Sequence, residues 1–367
     1  MDKNIGILTF HTSGNYGALL QTLGTYTTVK KLGYKPNIIN YHSPNKEGMY
    51  QVMSVSKNKS FRENMRAMIN TPFKAKRKKS SNEFREKILK VAPQKLSTYD
   101  DLKVEQEKYA KIIVGSDQVW NYQNTGFDKR YLLDFVEDSN KKVSYAASFA
   151  LSEIEEKYKN EYATLLKTIP FLSVREERGC ELVEELIGTP AVQTLDPTLL
   201  LKKEEWTEFA TSERLIKERY LLVYSIGNEK KTLEQAKKIA KKLDLKVVAV
   251  GKRFNEHLMP GVKALNPSPT EFVGLFKESS YVVTSSFHGL VFSIIFNKKF
   301  TCTLDKKRPG NSRQLSLLDM AGLSSRLAFD SRALSKIDEK INWFSVNEKV
   351  EKQRQKSLEF LKSALEK

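Results

Sequence analysis

The sequence predicts an α/β protein with two domains. Short apolar runs alternate with amphipathic helical stretches, which is the pattern of parallel βαβ units rather than of an all-β or all-α fold. This alternation occurs in both halves of the 367-residue chain. A chain of this length with 40% hydrophobic residues exceeds the size that a single core usually serves. We therefore expect two α/β domains.

Individual elements follow from the spacing of the apolar residues. Predicted strands cover residues 5–10, 111–114, 143–148, 171–174, 192–195, 220–226, 246–250, 281–284 and 300–304. Apolar residues at three- and four-residue spacing predict helices over residues 18–32, 177–186, 231–243, 269–278 and 289–296. A charged stretch with little strand character follows residue 201, and we place the domain boundary near residue 205.

The domains are then 1–205 and 206–345, followed by a terminal segment, 346–367. This segment is predicted to be a helix whose apolar side carries Val350, Leu358, Leu361 and Leu365. It is too weakly hydrophobic to form a domain. By analogy with two-domain cleft folds, we expect it to pack back on the N-terminal domain.

Composition narrows the classes of function. The net charge of +18 favours anionic partners, namely nucleic acid, phosphorylated metabolites or an acidic membrane surface. Cys180 and Cys302 lie outside any CxxC or Cys/His cluster, so we expect reduced thiols and no structural zinc. The N-terminus has no signal-peptide pattern and no apolar run has transmembrane length, which predicts a cytoplasmic protein.

One segment interrupts the α/β pattern. Residues 57–90 contain twelve basic residues and three acids, interleaved with Phe61, Met65, Met68, Ile69 and other apolar side chains. We interpret it as a basic amphipathic insertion in the first domain. Two alternatives stay open: a solvated pair of surface helices, or an element that faces an anionic membrane or the substrate.

Four segments place polar side chains where a predicted strand ends, the position that faces the ligand crevice in open α/β sheets. The first joins the first strand to the first helix. Its backbone N–H groups and helix dipole would suit a phosphate or carboxylate. It matches neither G-x-G-x-x-G nor a Walker loop, and an ordinary tight turn is the alternative. Its candidate binding residues are Gly14, Asn15, Tyr16 and Gly17.

The second segment follows the strand 111–114 and carries small, acidic, amide and aromatic side chains. A Trp beside an Asp could recognise a sugar by stacking and by hydrogen bonds to hydroxyls. Alternatively, the Ser and Asp cap the next helix and the Trp belongs to the core. The candidates here are Ser116, Asp117, Gln118, Trp120 and Asn121.

The third and fourth segments supply a cation and an imidazole. Arg175 ends a strand and could grip a carboxylate or phosphate with two parallel hydrogen bonds, or else pair with Glu176 or Glu177. His288 follows Ser285 and Ser286 at the start of a helix, where it could act as an acid/base group or bind phosphate. A buried structural histidine is the alternative.

Other chemistries find little support. The sequence has no G-x-S-x-G elbow, no recognisable His partner for either cysteine and no D-x-D motif. A nucleophilic triad and a metal-dependent glycosyltransferase are therefore disfavoured, and no metal or organic cofactor is expected.

In their order along the chain, these segments resemble the polysaccharide pyruvyl transferase family. The resemblance rests on T-S-G-N-Y-G-A-L-L-Q, G-S-D-Q-V-W-N, S-V-R-E, L-D-P-T-L-L and T-S-S-F-H-G-L-V-F-S, and it covers most of the chain. It implies two Rossmann-like domains facing a cleft, similar to B-type glycosyltransferases. It also implies transfer of pyruvate from phosphoenolpyruvate onto two hydroxyls of a sugar of capsule, exopolysaccharide or cell-wall polymers, as a cyclic ketal.

Under this resemblance, Arg175 matches an arginine that binds phosphoenolpyruvate, and His288 matches the histidine of the C-terminal motif. The expected roles are a cation for the donor at Arg175, an acid for the enol carbon at His288 and a base for the sugar hydroxyl at Asp117. Some members have an arginine at the position of Ser286. We expect another cation to replace it, and the candidates are Lys252, Arg253, Arg308 and Arg313.

Two rival functions remain at this level. A nucleotide-sugar-dependent glycosyltransferase would have a similar fold and cleft. A nonenzymatic module that binds nucleic acid or anionic membrane would explain the charge, but it does not need four crevice motifs at strand ends. We therefore expect no nucleic-acid partner. A lipid-linked acceptor and peripheral contact with the inner face of the membrane are consistent with the basic insertion.

Overall fold

The structure is a computed structural model that describes residues 3–47, 60–226, 229–251, 259–305, 310–328 and 337–367. Its strands form two six-stranded parallel sheets, with the orders β2-β1-β3-β4-β5-β6 and β12-β11-β10-β7-β8-β9. The strands are β1 (Asn4–Leu8), β2 (Lys35–Ile38), β3 (Lys111–Val114), β4 (Lys142–Ala147), β5 (Phe171–Val174), β6 (Val192–Gln193), β7 (Tyr220–Tyr224), β8 (Lys246–Val250), β9 (Val262–Leu265), β10 (Tyr281–Thr284), β11 (Phe300–Thr303) and β12 (Leu327–Ala328).

Helices connect the strands and cover the sheets. They are α1 (Tyr16–Lys31), α2 (Pro44–Glu47), α3 (Phe61–Lys87), α4 (Tyr99–Glu105), α5 (Tyr122–Thr125), α6 (Glu156–Leu166), α7 (Glu177–Ile187), α8 (Lys203–Phe209), α9 (Glu229–Leu243), α10 (Pro269–Glu278), α11 (Phe287–Ile295), α12 (Ser312–Met320) and α13 (Trp343–Glu366). This alternation of strand and helix confirms the predicted α/β class with two sheets.

The central strands of both sheets are apolar throughout because helices cover both of their faces. Every residue of β3, β4, β7 and β10 is buried. The three strands that the sequence did not reveal, β2, β9 and β12, all lie at sheet edges. Two of them, β2 and β9, are only partly buried, and β12 has two residues, so their apolar signal is weak.

One of the hydrophobic clusters extends over both sheets. A single cluster of buried residues includes Ile5 from the first sheet and Phe292 from α11 of the second. Trp206 on α8 lies at the contact, since its ring packs edge-on against Phe292 and its Nε1 donates to the carbonyl of Thr198. The segment near residue 205 is therefore packed between the two sheets.

The terminal helix α13 contacts the first sheet. Gln353 Nε2 donates to the carbonyl of Gln193 in β6, 3.0 Å away. The backbone N–H of Leu195 donates to Ser357 Oγ at 2.9 Å. These bonds fix α13 beside the carboxyl end of β6, where the candidate site begins.

The basic insertion forms one long helix, α3, rather than a pair, with residues 57–59 outside the described part of the chain. A capping box between Ser60 and Glu63 fixes its N-terminus. The middle of α3 is hydrogen-bonded to residues of both halves of the chain. Asn266 Nδ2 donates to the carbonyl of Phe73, and Arg77 Nη2 donates to Tyr16 Oη and to the carbonyl of Gly251.

Candidate functional site

Buried charged side chains from four strand ends meet around one carboxylate, Asp196. Asp196 follows β6, Arg175 follows β5 and Asp117 follows β3 in the first sheet. His288 comes from the second sheet, as the second residue of α11 after β10. Because the carboxyl ends of parallel strands share one edge of a sheet, three loops distant in sequence converge here.

Asp196 holds this cluster together. Its Oδ2 accepts from Arg175 Nη1 at 2.6 Å and lies 3.5 Å from His288 Nε2. Its Oδ1 accepts from the backbone N–H and the hydroxyl of Thr198, at 3.1 and 2.6 Å. Burial alone would raise the pKa of Asp196, but His288, Arg175 and Thr198 outweigh it and hold this pKa well below its usual range. The carboxylate is therefore ionised at neutral pH.

Arg175 is enclosed by acids. Besides Asp196, its guanidinium lies 3.6 Å from Asp117 Oδ1 and 3.9 Å from Glu176 Oε2, and its side chain is 1% exposed. Its Cζ also stands 4.5 Å from the centre of the Phe287 ring. Three carboxylates lie within 4 Å of this cation, but only Asp196 is hydrogen-bonded to it, and its Nε and Nη2 atoms have no hydrogen-bond partner among the described residues. A donor contact of Arg175 stays a prediction, and this geometry favours a positioning role.

His288 is fixed between the two domains. Ser286 caps α11, since its hydroxyl accepts from the N–H of Gly289 at 3.4 Å. The other ring nitrogen of His288 lies against Gly17 at the start of α1, where an added Cβ would stand only 2.1 Å from Nδ1. Position 17 therefore needs glycine for the imidazole to reach Asp196.

A second cation, Arg313 on α12, lies beside this cluster. Arg313 and Arg175 line a small cavity of about 50 Å³ together with Asp196 and Phe287. Its Cζ stands 6.0 Å from the centre of the Phe287 ring. The Gln118 amide is 3.1 Å from Arg313 Nη1 when its oxygen faces the guanidinium. Among the cations predicted to replace an arginine at Ser286, Arg313 is the one described, since Lys252, Arg253 and Arg308 lie outside the described residues.

The residues of the first predicted loop divide between surface and domain contact. Gly14 is half-buried and Asn15 is exposed, with its Oδ1 accepting from the N–H of Gly17 as the N-cap of α1. Tyr16 is buried, its hydroxyl donates to the carbonyl of Pro267 at 2.6 Å and its ring stacks on Phe272. Tyr16 thus joins the domains in this structure.

Four other predicted residues are engaged in internal hydrogen bonds. Ser116 Oγ donates to the carbonyl of Ala146, and Asn121 caps α5. The hydroxyls of Ser285 and Ser225 share a hydrogen bond of 2.8 Å. Ser286 is occupied as the cap of α11. Substrate contacts by these four side chains remain predictions.

Trp120 needs a correction. Its side chain is 1% exposed, its ring packs against Phe149 and its Nε1 donates to the carbonyl of Tyr131. A sugar cannot stack on a ring that is enclosed on both faces, so Trp120 belongs to the core, as the alternative interpretation held.

Sequence reasoning missed the role of Asp196 and of Phe287. Both stand inside motifs that carried the resemblance, L-D-P-T-L-L and S-S-F-H-G, yet neither was assigned a role. Their significance depends on contacts between distant loops, which spacing within one motif does not reveal. The signal available was that Asp196 follows a strand of the same sheet as Arg175.

The described residues contain no group of three or more His, Cys, Asp or Glu side chains arranged to hold a metal ion. Nor does any described helix combine the length and apolar character needed to cross a bilayer. Burial raises the pKa of the Cys302 thiol to about 12 and that of Cys180 to about 11, which leaves both protonated at neutral pH.

The model of the polysaccharide pyruvyl transferase family matches residues 15–304, from the loop before α1 to the end of β11. The chain belongs to this family. The match includes Asp117, Arg175, Asp196 and His288. No curated protein matches the chain.

Solved structures with a similar fold include UDP-GlcNAc 2-epimerases. The Methanocaldococcus jannaschii enzyme, in complex with UDP-GlcNAc and UDP, has a TM-score of 0.52 at 13% identity, covering 96% of this chain and 99% of its own. A putative UDP-N-acetylglucosamine 2-epimerase from Listeria monocytogenes has a TM-score of 0.53 at 10% identity, with 97% and 91% covered. At such identities the likeness concerns the fold alone. It supports two Rossmann-like domains, as in B-type glycosyltransferases.

Proposed function

We propose that this pyruvyl transferase moves pyruvate from phosphoenolpyruvate onto two hydroxyls of a sugar as a cyclic ketal. The observation that carries the proposal is the His288–Asp196 contact between the domains, with Arg313 beside it, in a chain of this family. The acceptor we propose is a sugar of bacterial capsule, exopolysaccharide or cell-wall polymers, modified in the cytoplasm.

The reaction needs an acid, a base and cations. The enol carbon of the donor gains a proton and becomes a methyl group, while two sugar hydroxyls bond to the neighbouring carbon and phosphate leaves. The two hydroxyls release two protons. One of them compensates for the proton added to form the methyl group, and the other leaves with phosphate or passes to solvent. His288 is the proposed proton carrier, because its imidazole lies in this cluster and histidine is the side chain most often used for proton transfer in enzymes. Asp117 is the proposed base.

The buried carboxylate of Asp196 has a supporting role. It faces the Nε2 atom of His288 and holds the ring in one orientation, as carboxylates do for catalytic histidines in general. Arg175 keeps Asp196 in place and balances part of its charge. Asp196 and Arg175 are thus positioning residues, and we assign donor binding to Arg313.

Substitutions separate these roles. His288→Ala should lower kcat by about a hundredfold or more, the scale of a lost acid/base group. Arg313→Gln should chiefly raise KM for phosphoenolpyruvate, because it removes binding common to the ground and transition states. Purified protein should release phosphate from phosphoenolpyruvate only with an acceptor sugar, which a panel of galactosides and N-acetylhexosamines with free and lipid-linked forms would measure. Consumption of a nucleotide sugar instead, with no phosphate release, would favour the glycosyltransferase alternative.

The N-terminal half of α3 supports peripheral contact with an anionic membrane. Apolar side chains at helical spacing are exposed there, and Phe61 and Met68 have 79% and 59% of their surface accessible. Met65 and Ile69 complete the row. Basic residues flank it, which is the pattern of helices that lie in a bilayer interface. Co-sedimentation with anionic liposomes should fall as salt rises and should fall again in Phe61→Ser/Met68→Ser. If liposome binding is unaffected by salt and by the double substitution, α3 is not the membrane contact.

A further inference from the structure

A second cavity lies beside the loop after β1, which carries Gly14. Its volume is about 660 Å³, and it is bounded by α3, by the loop after β1 and by residues 91–95. Gly14 lines it, whereas Gly17 touches His288. These glycines are three positions apart in the sequence, so their Cα atoms are at most about 11 Å apart. One extended molecule could therefore reach both places.

Cations dominate the lining of this cavity. Five of them face it, against the single acid Glu86, and none of the five forms an ion pair with a described carboxylate. They are Lys74, Arg77, Lys78, Arg85 and Lys95. The first four lie on one face of α3 at helical spacing. Lys74 and Arg85 are eleven residues apart, about 16 Å along the helix.

Arg85 is held rigidly in place. Its Nη2 donates to Asn40 Oδ1 at 3.0 Å. The orientation of the Asn40 amide is fixed, because its Nδ2 donates to the carbonyls of Ala92 and Gln94. The Nε atoms of Arg85 and Arg77 are buried and have no hydrogen-bond partner among the described residues. Burial lowers the pKa of Arg85, which reflects the cost of enclosing this charge.

Arg77 and Arg85 are half-buried, and their buried Nε atoms have no hydrogen-bond partner among the described residues. Cations that line a cavity in this way, without a described counter-ion, indicate a site for an anion. A single phosphate could contact the cations at one end only, whereas two linked phosphates would span more of the row. We propose that this cavity binds the diphosphate of the acceptor while its sugar lies at His288. The proposal rests on the proposed function for the identity of the sugar, but not for the anion site. A lipid diphosphate and a nucleoside diphosphate share the chemistry that these residues recognise.

The test uses the full chain, inorganic pyrophosphate as the probe and titration calorimetry with phosphoenolpyruvate in excess. Lys74→Gln/Lys78→Gln removes two charges from the cavity. Lys76→Gln/Lys79→Gln removes two charges from exposed positions of the same helix that do not line it. The first pair should weaken pyrophosphate binding about tenfold or more, the scale of one lost charge-assisted hydrogen bond. The second should change it less than about twofold, as expected for screened surface charges. Unchanged melting temperatures would show that both variants fold.

Equal weakening by the two pairs would overturn the proposal, because it would indicate diffuse attraction to a basic surface. Orthophosphate that binds as tightly as pyrophosphate would overturn it as well. Uridine diphosphate and farnesyl diphosphate distinguish the two carriers. Tighter binding of uridine diphosphate supports a nucleotide-linked acceptor, and tighter binding of farnesyl diphosphate supports a lipid-linked one. Pyrophosphate binding without turnover of phosphoenolpyruvate would refute the proposed function and keep the anion site. Turnover of phosphoenolpyruvate without pyrophosphate binding would refute the anion site and keep the proposed function.

Discussion

Gly17→Ala tests whether the position of His288 matters for the chemistry. The added Cβ would stand 2.1 Å from Nδ1 and 2.6 Å from two ring carbons of His288. Ordinary contact begins near 3.4 Å, so the imidazole must withdraw by roughly 1.3 Å or α1 must move. Since a displacement of about 1 Å at a catalytic group can cost about a hundredfold in rate, we expect a loss of that order in kcat.

The assay combines turnover with the imidazole spectrum. The chain has four histidines, so the His288 resonances can be assigned by their loss in His288→Gln. They should shift in Gly17→Ala but not in the control Gly14→Ala, whose Cβ would make only a 3.4 Å contact with Arg77 Cδ. Alanine favours helix by about 1 kcal/mol over glycine, so a weaker α1 would not explain lost activity. Shifted resonances with normal kcat in a folded Gly17→Ala protein would refute the reasoning.

Two further predictions concern pH and stability. Asp196→Asn leaves Arg175 with one acid fewer and should lower the free energy of unfolding at pH 7 by about 3 kcal/mol. Because the native pKa of Asp196 is depressed, the difference in free energy of unfolding between wild type and Asp196→Asn should be largest above about pH 4. It should shrink as the pH is lowered further, which acid-unfolding curves would measure. His11 is buried, and burial and Arg85 lower its pKa to about 4. In the unfolded chain this histidine is protonated near pH 6.5, well above the native pKa. The free energy of unfolding of the wild type should therefore fall by about 3 kcal/mol as the pH is lowered from 6.5 to 4. His11→Gln should show a flatter slope over that range in urea titrations, and equal slopes would contradict the argument.

The sequence predicted the central part of the fold well, because buried parallel strands are nearly continuous apolar runs. The ranges 111–114, 171–174, 246–250 and 281–284 agree with β3, β5, β8 and β10. Edge strands such as β2, which contains Lys35 and Pro36, lack this signal. A pair of surface helices was one alternative for residues 57–90, whereas the structure has one helix, α3, that continues through Pro72.

The site was harder to predict than the fold. Polar residues at strand ends identified Asp117, Arg175 and His288, since topology alone brings such ends together. What these side chains do depends on partners that topology does not specify. For Arg175, donor binding and an ion pair with a neighbouring acid were both open, and its contacts with Asp196, Asp117 and Glu176 depend on how the loops pack. Whether Trp120 was core or ligand could not be decided either, because burial is a property of the packed protein.

The most direct test of the central claim is the fate of labelled phosphoenolpyruvate in deuterated water. With a productive acceptor, the account predicts a sugar ketal whose former enol carbon is a methyl group carrying one solvent deuterium, together with inorganic phosphate. Carbon NMR of the product would detect both features. His288→Ala should reduce their formation by about a hundredfold. Phosphoenolpyruvate that stays intact with every acceptor, while a nucleotide sugar is consumed, would contradict the account.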